Sequence, residues 1–406
     1  MKIKTHVCVL GLGYIGLPTV GILASRGFQV SGVDTNPRVV ETINRGAIHI
    51  VEPDLDMLVQ AGVQSGSLRA FDHPVPADVF VISVPTPFRE GYAPDLTAVE
   101  SAARSLAPCL RPGNLVILES TTPVGATANL ARILETMRPE LDCHGAAPDV
   151  FVAHAPERVL PGRILIELVH NDRLIGGINP ASTARAVAFY ESFVQGRVLA
   201  TSAETAEMAK LTENAYRDVN IAFANELSML CGRFGVDVWE LIRLANHHPR
   251  VNILQPGAGV GGHCIAIDPW FLITAAPEQT PLMHAARQVN LAKPHWVLEQ
   301  VQQACAHRPL ARVACLGAAY KPDIDDLRES PALEIARELH HLLGPERLLV
   351  CEPHVRSLPP LTLVDLDSAL ERADVVLFLV AHSIFRRIPP QRLAGKVLLD
   401  ICGVRR

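Results

Sequence analysis

The run THVCVLGLGYIG, residues 5–16, constrains the fold more than any other part of the chain. THVCVL reads as a short buried strand and PTVGILASRG as a helix ending at Gly27. FQVSGVD then gives a second strand ending at Asp34. Between them Gly11, Gly13 and Gly16 complete G-x-G-x-x-G, with Tyr14 and Ile15 leading into the helix. Gly11 permits a tight turn, Gly13 lets the backbone approach a pyrophosphate, and Gly16 lets helix and strand pack closely. The helix N-terminus offers free N–H groups and a positive dipole to the phosphates. Asp34, 18 residues past Gly16, is placed to accept from ribose hydroxyls, and its charge would repel a 2′-phosphate. NAD is therefore expected over NADP, with Arg38 available to stack on the adenine or to stand as a solvated surface residue.

Further strand–helix units follow. ADVFVISVPTP (77–87), NLVILESTTPVG (114–125) and DVFVAHAPERVLPG (149–162) each run an apolar strand into a polar, proline-marked loop. In an open parallel sheet, ligands sit at the carboxyl ends of the strands. That places Val84, Pro85, Thr86, Thr122 and Glu157 where cofactor and substrate meet. The threonines also suit plain turn capping, and Glu157 with the adjacent Arg158 and Val159 also admits a structural role.

Residues 202–234 contain no proline and no internal glycine until Gly232, and apolar residues recur at helical spacing from Met208 to Leu230. The spacing predicts one long amphipathic helix, of a kind that links two domains and doubles as a dimer surface. Lys210 and Asn214 fall on one face of it, one turn apart, with Glu207 adjoining. By themselves they fit a solvated face equally well.

GAGVGGHCIAIDPW, residues 257–270, crowds glycines before Cys264 and sets Asp268 four residues after it. IAIDPWFLITAA reads as helix, so the thiol is expected near a helix N-terminus, where the dipole favours the thiolate. A nucleophile, a metal ligand and a small buried group are the three readings. The metal reading has no second ligand at suitable spacing, and none of the nine cysteines forms a C-x-x-C pair. No metal is expected. The net charge of −5 with interspersed signs leaves no basic stripe for nucleic acid. Apolar runs such as DVVLFLVA at 374–381 are far too short to span a bilayer, and the N-terminus enters a strand directly. A cytoplasmic protein with no membrane insertion is expected.

These motifs together carry a resemblance. PGAGVGGHCIAIDPW, AEMAKLTENAYRDVNIAFANEL and AYKPDIDDLRESPA, with VEPDL, ESTTPVG, APERVLPG and HHPRVNILQPG, resemble the nucleotide-sugar 6-dehydrogenases, and among them the members acting on UDP-N-acetyl-D-mannosamine. The resemblance covers essentially the whole chain. It implies a four-electron oxidation of a sugar C6 alcohol to a uronate. Cys264 would hold first a thiohemiacetal and then a thioester, so that the same carbon gives up a hydride twice. By motif position, Lys210 would stabilise the C6 alkoxide, Asn214 would bind the same oxygen, and Asp268 would assist proton transfer. Glu157 would orient or activate the hydrolytic water, with Thr122 holding that water or the nicotinamide. Substrate contacts are implied for Glu157, Arg158, Val159, Lys210, Asn214, Arg250, Gly261 and Lys321, and a place near the cofactor phosphates for Arg328.

The resemblance also implies two doubly wound Rossmann-like α/β domains joined by the long central helix and a small helical domain. NAD binding falls to residues 1–197, the helical and dimerising part to 198–305, and UDP-sugar binding to 306–406. The last sheet lacks G-x-G-x-x-G, since Ala318 and Ala319 follow Gly317. Two positions depart from the family pattern: Ala258 stands in place of a proline, and Cys402 in place of a basic residue whose contact Arg405 or Arg406 could supply. The expected partners are a UDP-N-acetylhexosamine and a second copy of the chain. UDP-N-acetylglucosamine is the alternative substrate, and a non-catalytic sensor of NAD or nucleotide sugar is the alternative from a different class. A two-electron hydroxyacid dehydrogenase would have no use for Cys264. An epimerase would want Tyr-x-x-x-Lys, which the chain lacks.

Overall fold

Strand β1 (His6–Leu10) sends Val7 and Val9 into one core and Cys8 and Leu10 into another. A strand buried on both faces needs helices on both sides of its sheet. The same alternation recurs in β4 (Val79–Ile82) and β5 (Leu115–Leu118). With β2 (Gln29–Val33), β3 (Leu68–Phe71), β6 (Phe151–His154), β7 (Arg173–Gly177) and β8 (Val198–Ser202) they form an eight-stranded sheet ordered β3-β2-β1-β4-β5-β6-β7-β8. All neighbours are parallel except β6 and β7, which pair antiparallel. The order reverses between β1 and β4, which opens the crevice where such sheets bind ligands.

The computed structural model describes residues 4–160 and 162–405. The chain divides into two units, residues 1–212 and 213–406. The second holds a four-stranded parallel sheet of β9 (Val313–Leu316), β10 (Leu348–Cys351), β11 (Val375–Phe378) and β12 (Val397–Asp400), ordered β10-β9-β11-β12. It too is covered on both faces: Val313 and Cys315 enter one core, Ala314 and Leu316 the other. The architecture is thus two doubly wound sheets with helical structure between them in the chain.

The expected long helix runs Ala203–Phe234, beginning in the first unit and continuing into the second. A second long helix, Pro281–Cys305, was not foreseen from the sequence. Its buried face carries Arg287, Asn290, Lys293 and Pro294 among the apolar residues, which hides the usual periodicity. No described helix is long and apolar enough to cross a membrane.

Candidate active site

In the first unit the glycine-rich loop lies in the β1/β4 crevice. A Cβ on Gly11 would stand 2.4 Å from the Ser83 carbonyl oxygen, and one on Gly16 would stand 1.8 Å from that of Gly11. Gly11 has φ +91°, a conformation glycine adopts without strain. A Cβ on Gly13 would meet nothing within 4 Å, so this side of the loop has room for a pyrophosphate. Ile15 precedes the helix Gly16–Ser25, and Tyr14 packs against the core. The Asp34 carboxylate accepts from Leu12 N at 3.1 Å and from Asn36 N at 2.8 Å, fixing the acid beside the loop. Arg38 is exposed at the head of the next helix. These residues fit a dinucleotide.

The loops after β4 and β5 are tied together. Thr86 Oγ1 donates to the Thr121 carbonyl at 2.7 Å, and Ser120 Oγ to that of Val84 at 2.7 Å. Pro85 is exposed between them and Thr122 is buried. Glu207 turns away from the face it was expected to share with Lys210. Its carboxylate instead accepts from Gly125 N, Thr127 N and Thr127 Oγ1 at 2.6–2.8 Å, capping the helix Ala126–Met137. Removing it would orphan buried donors at a cost of about 1–3 kcal/mol each.

Lys210 is buried in the long helix. Near it, His154 at the end of β6 is held neutral, its pKa lowered to about 3 by burial, with the Lys210 charge acting in the same direction. Glu157 follows β6 and is buried. Its ion-pair partner is Arg173, whose Nη1 lies 2.6 Å from Glu157 Oε2. Arg158 contributes its backbone N–H, which donates to Glu157 Oε1 at 2.7 Å, while its guanidinium reaches the Asp172 carbonyl. Val159 is half-buried next to it.

In the second unit Asn214 Nδ2 donates to Asp268 Oδ2 at 2.5 Å. Asp268 is buried and opens the helix Asp268–Ala275. The helix therefore begins four residues later than a thiol at its N-terminus requires. Cys264 instead heads a separate turn leading into it, its carbonyl accepting from Ile267 N at 3.0 Å and Asp268 N at 2.8 Å. The thiol is half-buried.

The glycines before Cys264 are explained by close approach. A Cβ on Gly261 would stand 2.4 Å from the Glu329 carbonyl, and one on Gly262 would stand 2.8 Å from the Tyr320 ring. Gly262 N also donates to the Arg328 carbonyl at 3.0 Å. The cysteine loop is thereby seated on the segment that carries Lys321 and Arg328. Lys321 is half-buried there, and Arg328 is exposed and forks onto Asp326 at 2.6–3.1 Å. Arg250 is exposed in the loop after the helix Val238–Ala245.

A buried polar chain unforeseen from sequence supports the same loop. Asn225 accepts from Gly257 N at 2.9 Å and donates to Asn290, which donates to Asp218; Arg287 pairs with Asp218 at 2.8 Å. Ala258 lies in the core of this unit. Cys402 Sγ reaches the Phe378 carbonyl, and the Arg405 guanidinium is committed to the Ile388 carbonyl; Arg406 lies outside the described residues.

Asp323, His354 and His382 bring potential metal-ligating atoms within 4.8 Å of one another. However, His382 Nδ1 accepts from Asp323 N at 2.9 Å and Nε2 donates to Glu352 at 3.1 Å. Both its nitrogens are engaged, so it offers no lone pair to a cation.

Residues 5–194, 204–292 and 314–405 match, in turn, the NAD binding, central and UDP binding domains of the UDP-glucose/GDP-mannose dehydrogenase family. The chain belongs to this family. It is a nucleotide-sugar dehydrogenase with NAD as its cofactor. It is 56% identical to the NDP-N-acetyl-D-galactosaminuronic acid dehydrogenase of Ralstonia nicotianae, over 98% of this chain and 96% of that one. It is 53% identical to the UDP-N-acetyl-D-mannosamine dehydrogenase of Escherichia coli, over 98% of both chains. Among solved structures, the UDP-D-ManNAc dehydrogenase of Pyrococcus horikoshii superposes with a TM-score of 0.91 at 40% identity, covering 99% of this chain and 96% of that one.

Proposed function

We propose that this dehydrogenase oxidises C6 of UDP-N-acetyl-D-mannosamine to the carboxylate in two successive steps at one site. The observation that carries the reading is the placement of Cys264 at the head of the turn ending at Asp268, with Asp268 bound to Asn214. NAD, held by the Gly11–Gly16 loop and Asp34, would supply the hydride acceptor for each of the two steps.

Lys210 stabilises the C6 alkoxide electrostatically as its C–H bond breaks. The Asn214 amide has two N–H bonds; one is spent on Asp268 and the other is available to the same oxygen. Asp268 takes up the alcohol proton. The Cys264 thiolate then adds to the aldehyde carbon, giving a thiohemiacetal whose carbon again carries a transferable hydride. Loss of that hydride leaves a thioester. Glu157 takes a proton from water as the water oxygen bonds to the thioester carbon; the C–S bond breaks and the Cys264 thiolate returns. Thr122 helps hold this water. Arg250, Gly261 and Lys321 contact the nucleotide sugar, and Arg328 lies near the cofactor phosphates.

A second reading has the N-acetylgalactosamine nucleotide as substrate, favoured by the 56% identical relative. Comparing kcat/KM for UDP-N-acetyl-mannosamine, -galactosamine and -glucosamine decides it. The proposal expects the mannosamine nucleotide to be preferred, and preference for either other epimer overturns that assignment.

The long helix presents Tyr216, Phe223 and Leu230 at seven-residue intervals, 70%, 52% and 44% exposed. Apolar side chains so spaced form one stripe along a helix. They support a homodimer through this helix, to be tested by the mass of the protein in solution. Its substrates are cytoplasmic metabolites, which supports the cytoplasm as its location.

A further inference from the structure

Three buried ionisable groups near Glu157 were not singled out in the sequence. Glu119 directly follows β5, Arg173 begins β7 and Tyr190 lies on the helix Pro180–Glu191; all are buried. Arg173 Nη1 sits 2.6 Å from Glu157 Oε2 and 3.8 Å from Glu119 Oε1. The Tyr190 hydroxyl donates to Glu119 Oε1 at 3.4 Å, and the Arg173 guanidinium lies 5.3 Å from the centre of the Tyr190 ring. An apolar core would avoid the cost of desolvating these charges.

The topology indicates a reason for them. Strand β7 is antiparallel to β6, with Ala153 opposite Gly177 and His154 opposite Gly176. Continuing that register past the end of β6 brings residue 157 opposite residue 173. In a parallel β7, its first residue would lie at the other edge of the sheet. The strand reversal thus delivers Arg173 to the ligand-binding end.

We propose that Arg173 is the positioning residue for Glu157, with Glu119 a second buried carboxyl facing the same guanidinium. This rests on the reading of Glu157 as the residue that activates water. The Arg173 cation lies against one Glu157 oxygen as an ion pair, and the Arg158 N–H donates to the other. Both oxygens are thereby engaged on one side, and each carboxylate oxygen keeps a second lone pair. Glu119 is surrounded by Glu157, Arg173, Tyr190 and Ser83, and burial with the Glu157 charge pushes its carboxyl up, to about 8.

The test is quenched-flow mass spectrometry of the intact protein with UDP-N-acetyl-D-mannosamine and excess NAD, on Arg173→Met, Arg173→Lys and Glu157→Gln. Arg173→Met is expected to accumulate the Cys264 adduct, with hydrolysis slowed about tenfold or more. Its first NADH burst should stay within about threefold of wild type. Arg173→Lys, which keeps the cation but not the fork, should accumulate less; it carries the test alone if the methionine variant does not fold. Hydrolysis at the wild-type rate, or equal slowing of burst and hydrolysis, overturns the proposal when Glu157→Gln does accumulate adduct. If Glu157→Gln accumulates none, the reading of Glu157 itself fails.

Discussion

Asn214 donates to Asp268 across 2.5 Å, joining the long helix to the first residue of the helix that follows Cys264. Two residues bonded this closely act as one unit. Asp268→Asn should lower kcat by about 100-fold or more with little change in KM. Asn214→Ala should lower kcat as well, and the double variant should lose less than the product of the two single losses, because each breaks the same contact. Steady-state kinetics on the three variants check this.

Cys264→Ala should lower uronate formation by about a thousandfold or more. The thiol is half-buried and heads a turn through its backbone carbonyl, which alanine keeps. The thermal midpoint should therefore hold within about 2 °C, since small changes away from core contacts cost little. Uronate made at a near-wild-type rate would remove the covalent mechanism.

Two glycines separate binding from folding. Gly13→Ala adds a Cβ in open space, so the protein should fold normally while the KM for NAD rises about tenfold or more as the phosphates lose room. Gly16→Ala pushes a Cβ into the Gly11 carbonyl at 1.8 Å, so it should lower the thermal midpoint as well. Melting curves with and without NAD distinguish the two.

His154 should make the protein acid-sensitive. Its folded pKa of about 3 lies below its ordinary 6.5, so the unfolded chain binds the proton first as pH falls. The stability linked to it is whole above about pH 6.5 and is lost progressively toward pH 3. Between about pH 7 and pH 4.5 the melting temperature of wild type should fall further than that of His154→Asn. Equal falls would contradict the assignment.

Much of this was legible in sequence because a few residue types leave little choice. G-x-G-x-x-G between strand and helix, with Asp34 beyond it, has a single good packing, and 203–234 offers no proline to stop a helix. The helix Pro281–Cys305 was hidden by Pro294 and by polar residues that find partners only in the fold. The reversal of β7 leaves no local mark, so the pairing of Arg173 with Glu157 stayed out of reach. The remaining clue was a charged residue at the edge of an apolar run, as in NDRLIGG and LVILES. Glu207 was misplaced for a related reason: helical spacing tells which residues share a face, and a side chain can still reach around to cap a neighbouring helix.

The account turns on a double oxidation at one carbon. The most direct measurement is the NADH formed per molecule of limiting UDP-N-acetyl-D-mannosamine, with NAD in excess. Two equivalents are predicted, with the uronate as product; a single equivalent with free aldehyde would contradict the thioester route through Cys264.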